Sequence, residues 1–459
     1  MSFDALFEPI EIGNVQIKNR IAMAPMNPGL TGPNGYHGDA NLAWYAMRAR
    51  GGFGLIITEC NVMNPHPWNG SEVLNPSLFT DYRYYRFHSE TVKLVHQYKG
   101  CKIFMQLSPG WGRQGHPHVE TPDCLAGGPS AIPLEIDMRN FNKGWEKQFK
   151  RLNPGMPDFA LIRNMSDEEY NLFRHMNKEM MAKEMPELLH VVFGDTPREL
   201  TVPEIVDLED RFALQAAAAF QLEYDGVEVH APHGYLIHSF LSPRSNQRTD
   251  QYGGSLENRA RFLLNIVEKT RMKIGPDKAF GVRLSGDELM PGGIGHEEIK
   301  QVVSWCRDAG ANFFNISQGC YENPGAAFAP DGEDEFTRWA PGFKEASSGL
   351  PVITPNFVTP EVAENAVKSG HTDIISLGRQ AIADPFWPSK VKEGRVNDIV
   401  KCIRCQRCYM NLIISHWAEC TMNPTAGREK LYPELWLDTP EMEKKINKFK
   451  QKAQGLPQI

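Results

Sequence analysis

No stretch of this 459-residue chain approaches the ~18 consecutive apolar residues of a membrane-spanning helix. The start, MSFDALFEPIEIG, lacks both the basic and the apolar block of an export leader. Basic excess is missing as well. Lys and Arg total 49 against 56 Asp and Glu, a net charge of −7, which argues against a nucleic-acid surface as the main role but leaves room for local phosphate pockets. A disulfide framework is also lacking. Of nine cysteines, Cys60, Cys101, Cys124, Cys306 and Cys320 are scattered, and four are bunched between 402 and 420. Bunching in a long chain without a leader points to metal and to a reducing cytoplasm. A composition of 41% hydrophobic and 23% charged residues suits an ordinary soluble globular protein.

What is present is a rhythm. Eight short apolar runs recur: Ile21–Met26, Gly54–Cys60, Lys102–Leu107, Gly226–His230, Ala279–Leu284, Asn312–Ser317, Pro351–Thr354 and Asp373–Leu377. Continuous apolar runs suit strands buried on both faces. Helical patterns lie between them, for example Glu204–Glu223, Glu257–Lys273, Glu297–Asp308 and Pro360–Ser369, with Ser255 and Thr359 placed as caps. Eight strand-then-helix beats predict an α/β fold, a (β/α)8 TIM barrel over residues 1–395.

A doubly wound sheet is the competing architecture. Its glycine fingerprint matches once, at Gly110, Gly112 and Gly115, but His116-Pro117-His118 follows instead of a helix start. That segment therefore reads as a loop. Residues 134–196, rich in Met, Lys, Glu and Asn, break the rhythm after the third strand. They read as a helical insertion that is a lid, an oligomer contact or a surface decoration. Residues 396–430 form a cysteine-rich segment, and 431–459 a charged helical tail.

The cysteines Cys402, Cys405, Cys408 and Cys420 follow the spacing C-x2-C-x2-C-x11-C. Soft thiolates suit iron–sulfur clusters or zinc. Zinc ribbons use two separated pairs. A third cysteine at the same short spacing favours a [4Fe–4S] cubane, with the distant cysteine closing it.

Several segments carry a resemblance: LFEPIEIGNVQIKNRIAMAPM near the start, QLSPGWGR at 106–113, PRELT at 197–201, HAPHGYLIHSFLSPRSNQRTDQYGGSLENRARF at 230–262, ISLGRQAIADP at 375–385, and CTMNPTAGRE after the cysteines. Together they resemble the old yellow enzyme family of FMN-dependent reductases. The cysteines narrow the likeness to the iron–sulfur branch with 2,4-dienoyl-CoA reductase, enoate reductase and trimethylamine dehydrogenase. The resemblance implies flavin contacts from Pro25, Met26, Asn27, Cys60 and Gln106. It implies Arg283 at the flavin N1–O2 edge, where a guanidinium stabilises the charge left by reduction. It implies a phosphate grip by Asn356, Gly378 and Arg379.

For the reaction, the resemblance implies that His230 and His233 hold a substrate carbonyl and that Tyr235 donates a proton. The expected activity is a flavin-dependent alkene reduction of an enone, enoate or enoyl thioester. Two alternatives are an amine or other C–N or C–O dehydrogenase and a non-catalytic electron-transfer subunit. The segment NISQGCYENPG lacks the histidine that dienoyl-CoA reductases carry there, and His230 stands where trimethylamine dehydrogenase has a tyrosine. Longer members of the branch continue into an FAD- and NAD(P)H-binding region, for which no glycine fingerprint follows Cys420 here. The expected electron donor is therefore a separate flavoprotein or ferredoxin, with direct NAD(P)H, or a sequence cut short before that region, as the alternatives. Neither nucleic acid nor membrane is expected as a partner, and a homo-oligomer stays open.

Overall fold

The computed structural model describes residues 2–31, 37–62, 82–114, 127–152, 158–184, 196–328, 332–333, 339–415 and 417–437. Eight parallel strands close into a barrel. In chain order they are β1 (Ile21–Met23), β2 (Leu55–Val62), β3 (Lys102–Ser108), β4 (Gly226–His230), β5 (Ala279–Ser285), β6 (Phe313–Ser317), β7 (Val352–Pro355) and β8 (Ile374–Leu377). Each pairs with its sequence neighbour, and β8 closes onto β1. All eight predicted strands are present. The first is shorter than expected because Pro25 brings no N–H to the ladder, and the chain leaves it after Ala24 N–H donates to Leu377 O. Among the described residues no helix is long and apolar enough to cross a membrane.

The predicted helices form at Val202–Gln221, Leu256–Ile274, His296–Asp308 and Pro360–Lys368. Ser255 caps its helix by accepting from Asn258 N–H at 3.3 Å. Thr359 occupies the cap position of the last of them, but its hydroxyl donates to Glu333 at 2.8 Å instead. Glu333 also accepts from the Thr359 and Val358 N–H groups, so a distant carboxylate does the local capping. A hairpin, Ile10–Ile12 with Val15–Ile17, plugs the barrel bottom, packing on Leu55, Phe104, Phe313 and Ile374. Its turn needs Gly13: φ is +57° there, and a Cβ would meet Asp277 O at 2.7 Å.

The 110–115 segment is a loop, as predicted, over its described part; Gly115 lies outside the described residues. The insertion is helical where described, at Lys143–Leu152, Phe159–Arg163 and Asp167–Glu184. It builds a second core from Leu134, Phe141, Trp145, Phe149, Phe159 and Ile162. Met410 and Tyr409, on the helix Arg407–Ser415 that follows the cysteines, complete that core. The insertion thus braces the cysteine segment. Of the predicted helical tail, residues 431–437 hold short 3-10 turns and 438–459 lie outside the described residues.

Candidate active site

Barrel register decides which side chains meet. Glu228 of β4 is level with Gln106 of β3, and His230 is level with Arg283 of β5. Gln106 Nε2 donates to Glu228 Oε1 at 2.6 Å, and Asn315 Nδ2 of β6 donates to Glu228 Oε2 at 2.9 Å. This buried trio stands beneath Arg283, which is itself 8% exposed. Arg283 Nε is buried with no hydrogen-bond partner among the described residues. Cys60 of β2 is level with Gln106 and completes this side of the barrel mouth.

At the end of β4 the chain turns sharply. His233 adopts φ +67°, held by its N–H donating to Ser285 Oγ at 3.1 Å. Its Nε2 meets Ser317 Oγ at 2.7 Å. His230 Nδ1 is buried without a partner among the described residues. Burial, with Arg283 adding to it, holds both imidazoles far below their usual pKa, so both are neutral and each carries one N–H. Their ring centres lie 5.9 Å apart. The Tyr235 ring stands 4.9 Å from His230, with Trp111 5.2 Å away on its other side. Trp111 reaches it because Gly112 lets the loop touch the backbone of Leu236, where a Cβ would clash at 2.8 Å.

The four cysteines line a small pocket that opens to solvent. The loop wraps this point because Arg404 and Gln406 both adopt positive φ, +54° and +59°. Arg404 N–H donates to Cys402 Sγ at 3.5 Å, and Met422 N–H to Cys420 Sγ at 3.4 Å. All four thiols line this one pocket, and none is in a disulfide. Gln380 clips the loop to the end of β8: its Oε1 accepts from Cys402 N–H at 2.9 Å, and its Nε2 donates to Val400 O at 2.9 Å. Gln148 of the insertion donates to Cys405 O at 2.8 Å. Arg379 lines the same pocket, with Nη1 buried and unpartnered among the described residues. Its Nη2 donates to Asn356 Oδ1 at 3.3 Å, which joins two of the three expected phosphate residues. Gly378 lies beside Met26, whose Sδ is 3.6 Å from where a Cβ would sit. Asn27 is turned inward on its own loop, accepting from Gly29 N–H at 2.7 Å.

Residues 5–145 and 164–398 match the NADH:flavin oxidoreductase / NADH oxidase family. The chain belongs to this family. It is 34% identical over 442 residues to NADH oxidase of Thermoanaerobacter brockii, covering 94% of this chain and 58% of that protein. It is 29% identical over 456 residues to cinnamate reductase of Clostridium sporogenes, covering 94% and 59%. Among solved structures, a 2-naphthoyl-CoA reductase complex superposes with a TM-score of 0.77 at 28% identity, covering 93% of this chain and 58% of that one. The chain therefore spans somewhat more than half the length of the relatives it matches. The gap in the family match, 146–163, falls inside the insertion.

For a flavin oxidoreductase the unpartnered guanidinium nitrogens make sense. Arg283 Nε and Arg379 Nη1 are buried donors with no hydrogen-bond partner among the described residues, and such guanidinium N–H groups suit anionic groups. Sequence reading did not find Glu228, Asn315, Ser317, Tyr321 or Tyr409. The first three are inward polar residues inside apolar strands, and that interruption was the available signal.

A further buried network lies one residue before Cys60. Glu59 accepts from Asn41 Nδ2 at 3.1 Å and sits 3.1 Å from His37 Nε2. Burial pushes Glu59 up to about 8 and His37 down to about 3, so near neutral pH both are uncharged and no ion pair forms. A carboxyl raised on folding stabilises below its ordinary pKa, and that contribution fades as pH climbs through the raised value. Glu59→Gln cannot ionise. The melting temperature of the parent protein is thus expected to fall relative to this variant between about pH 5 and about pH 8.5. A constant difference across thermal melts in that range would contradict the neutral pair.

Proposed function

We propose that this chain is the barrel component of an FMN- and [4Fe–4S]-dependent ene-reductase acting on an α,β-unsaturated carbonyl. The observation that carries this reading is the pair of neutral, buried histidines at the end of β4, with the Tyr235 ring 4.9 Å from His230. Their N–H groups polarise the carbonyl and make its β-carbon electrophilic. When bound, the flavin supplies hydride to that carbon and the cluster supplies single electrons. Tyr235 gives its proton to the α-carbon. Pro25, Met26, Asn27, Cys60, Gln106 and Arg283 line the flavin's place, and Asn356, Gly378 and Arg379 hold its phosphate. Arg379 also reaches the cysteine pocket, so one guanidinium neutralises charge on both groups. Relatives named cinnamate reductase and 2-naphthoyl-CoA reductase support this substrate class.

Electrons enter through the cysteine pocket, where Ile403 and Met422 are exposed at the rim. A ferredoxin or a nucleotide-oxidising flavoprotein is the proposed donor. Stopped-flow mixing with NAD(P)H alone tests this: fast flavin bleaching without any protein donor would sink it.

A second reading draws on the aromatic wall of Trp111, Tyr235 and Tyr321, which would suit a cationic amine. Relatives include dimethylamine dehydrogenase of Hyphomicrobium sp., at 28% identity over 463 residues. Arg283 and two N–H donors beside that wall favour a carbonyl instead. An anaerobic panel of unsaturated acids, ketones, CoA thioesters and secondary amines separates the two. Reduced flavin is expected to be reoxidised by the unsaturated carbonyls. Amines that bleach the oxidised flavin, with every alkene inert, would overturn the ene-reductase reading.

A further inference from the structure

Tyr235 is only 9% exposed, so a proton that it gives up has no direct route back from solvent. Its hydroxyl is hydrogen-bonded to that of Tyr321, on the segment after β6, and the two rings meet edge-on at 5.2 Å. Tyr321 is half-buried and bonds a third hydroxyl, that of Tyr409, on the helix after Cys408. Trp145 of the insertion packs edge-on against Tyr409 at 5.1 Å and pins it. Three phenols from three separate parts of the chain thus form one line, with Tyr321 in the middle.

We propose that Tyr321 is the proton source for Tyr235, and that the negative charge left by each proton transfer comes to rest on Tyr321. The inference rests on the ene-reductase reading and adds a residue to it. The α-carbon takes the Tyr235 proton and forms the new C–H bond, which leaves a Tyr235 phenolate. Tyr321 O–H then gives its proton to Tyr235. The Tyr321 phenolate accepts hydrogen bonds from the Tyr235 and Tyr409 hydroxyls until a proton from water restores it. The middle of three hydroxyls is the best place for that charge, because only there do two donors meet it. The groups facing Tyr321 are Tyr235 from β4, Cys60 from β2, Arg283 from β5 and Tyr409 from the cysteine helix. Of these, Arg283 and the two hydroxyls favour the phenolate. Burial raises all three phenols, while the Tyr235 and Tyr409 hydroxyls and Arg283 act the other way on Tyr321.

The test compares Tyr321→Phe with the parent protein in two measurements. In multiple-turnover alkene reduction driven by an artificial electron donor, the variant is expected to be slower by about tenfold or more, because Tyr235 must regain its proton before each new turnover. Its solvent deuterium isotope effect is expected to be larger, with substrate affinity for the oxidised enzyme unchanged. In ultraviolet tyrosinate titration, the variant is expected to lose one buried-tyrosine ionisation that Tyr235→Phe retains, displaced to higher pH by the loss of one donor. An unaltered isotope effect together with an unaltered titration would overturn the relay. If the parent protein reduces no alkene, the ene-reductase reading fails by itself, and the titration still decides which phenol carries the charge.

Discussion

Tyr235→Phe is expected to slow alkene reduction by roughly 10²- to 10⁴-fold while flavin content stays at the parent level. The variant keeps the ring that packs between Trp111 and His230 and loses only the hydroxyl. Carbonyl polarisation by His230 and His233 survives, so substrate affinity should hold. The reacting α-carbon loses its proton source, so the loss should fall on the chemical step. Single-turnover flavin reoxidation measures it directly. An unchanged rate with the best substrate of the panel would remove Tyr235 from the proton-donor role. A lower affinity at an unchanged rate would recast it as a wall of the pocket.

The second large effect is expected at the cysteines. Cys408→Ala should yield protein without stoichiometric iron and sulfide, and transfer from a ferredoxin-type donor to the flavin should disappear. Four thiols line the pocket, and a cubane held by four loses a corner ligand when one is removed. Chemically reduced flavin should still reduce substrate, because no cysteine of the pocket reaches the histidine pair. The damage should also spread through packing. Cys408 precedes Tyr409 and Met410, which are seated in the insertion's core, so loosening this helix frees Trp145 as well. Limited proteolysis should then cut the insertion faster than in the parent protein. Full iron content in the variant would show that the pocket does not hold a cluster through Cys408.

The barrel strands were readable because each is buried on both faces and must be apolar throughout. Helix ends were readable to within a residue or two, and Ser255 caps as its position implies. Thr359 shows the limit: its local cap is displaced by Glu333, a carboxylate brought over by tertiary packing. The insertion's role was not readable either. Gln148 and Cys405, which it joins, are 257 residues apart, and no local pattern encodes such a pairing.

The same division holds in the site. The order of residue types along the chain determined by itself an eight-beat α/β barrel and four thiols at cluster spacing, while the flavin and the roles of the histidine pair and Tyr235 were implied by a resemblance of longer motifs. These signals are local, because strand periodicity and metal-ligand spacing are both set by a few consecutive residues. Only the tertiary structure decided that Arg379 bonds Asn356 and lines the cysteine pocket, that the insertion braces the helix Arg407–Ser415, and that Tyr235, Tyr321 and Tyr409 stand in line. A hydrogen bond depends on where two hydroxyls end up, and Tyr235 and Tyr321, 86 residues apart, meet only because β4 and β6 place their outgoing loops over the same mouth of a closed barrel.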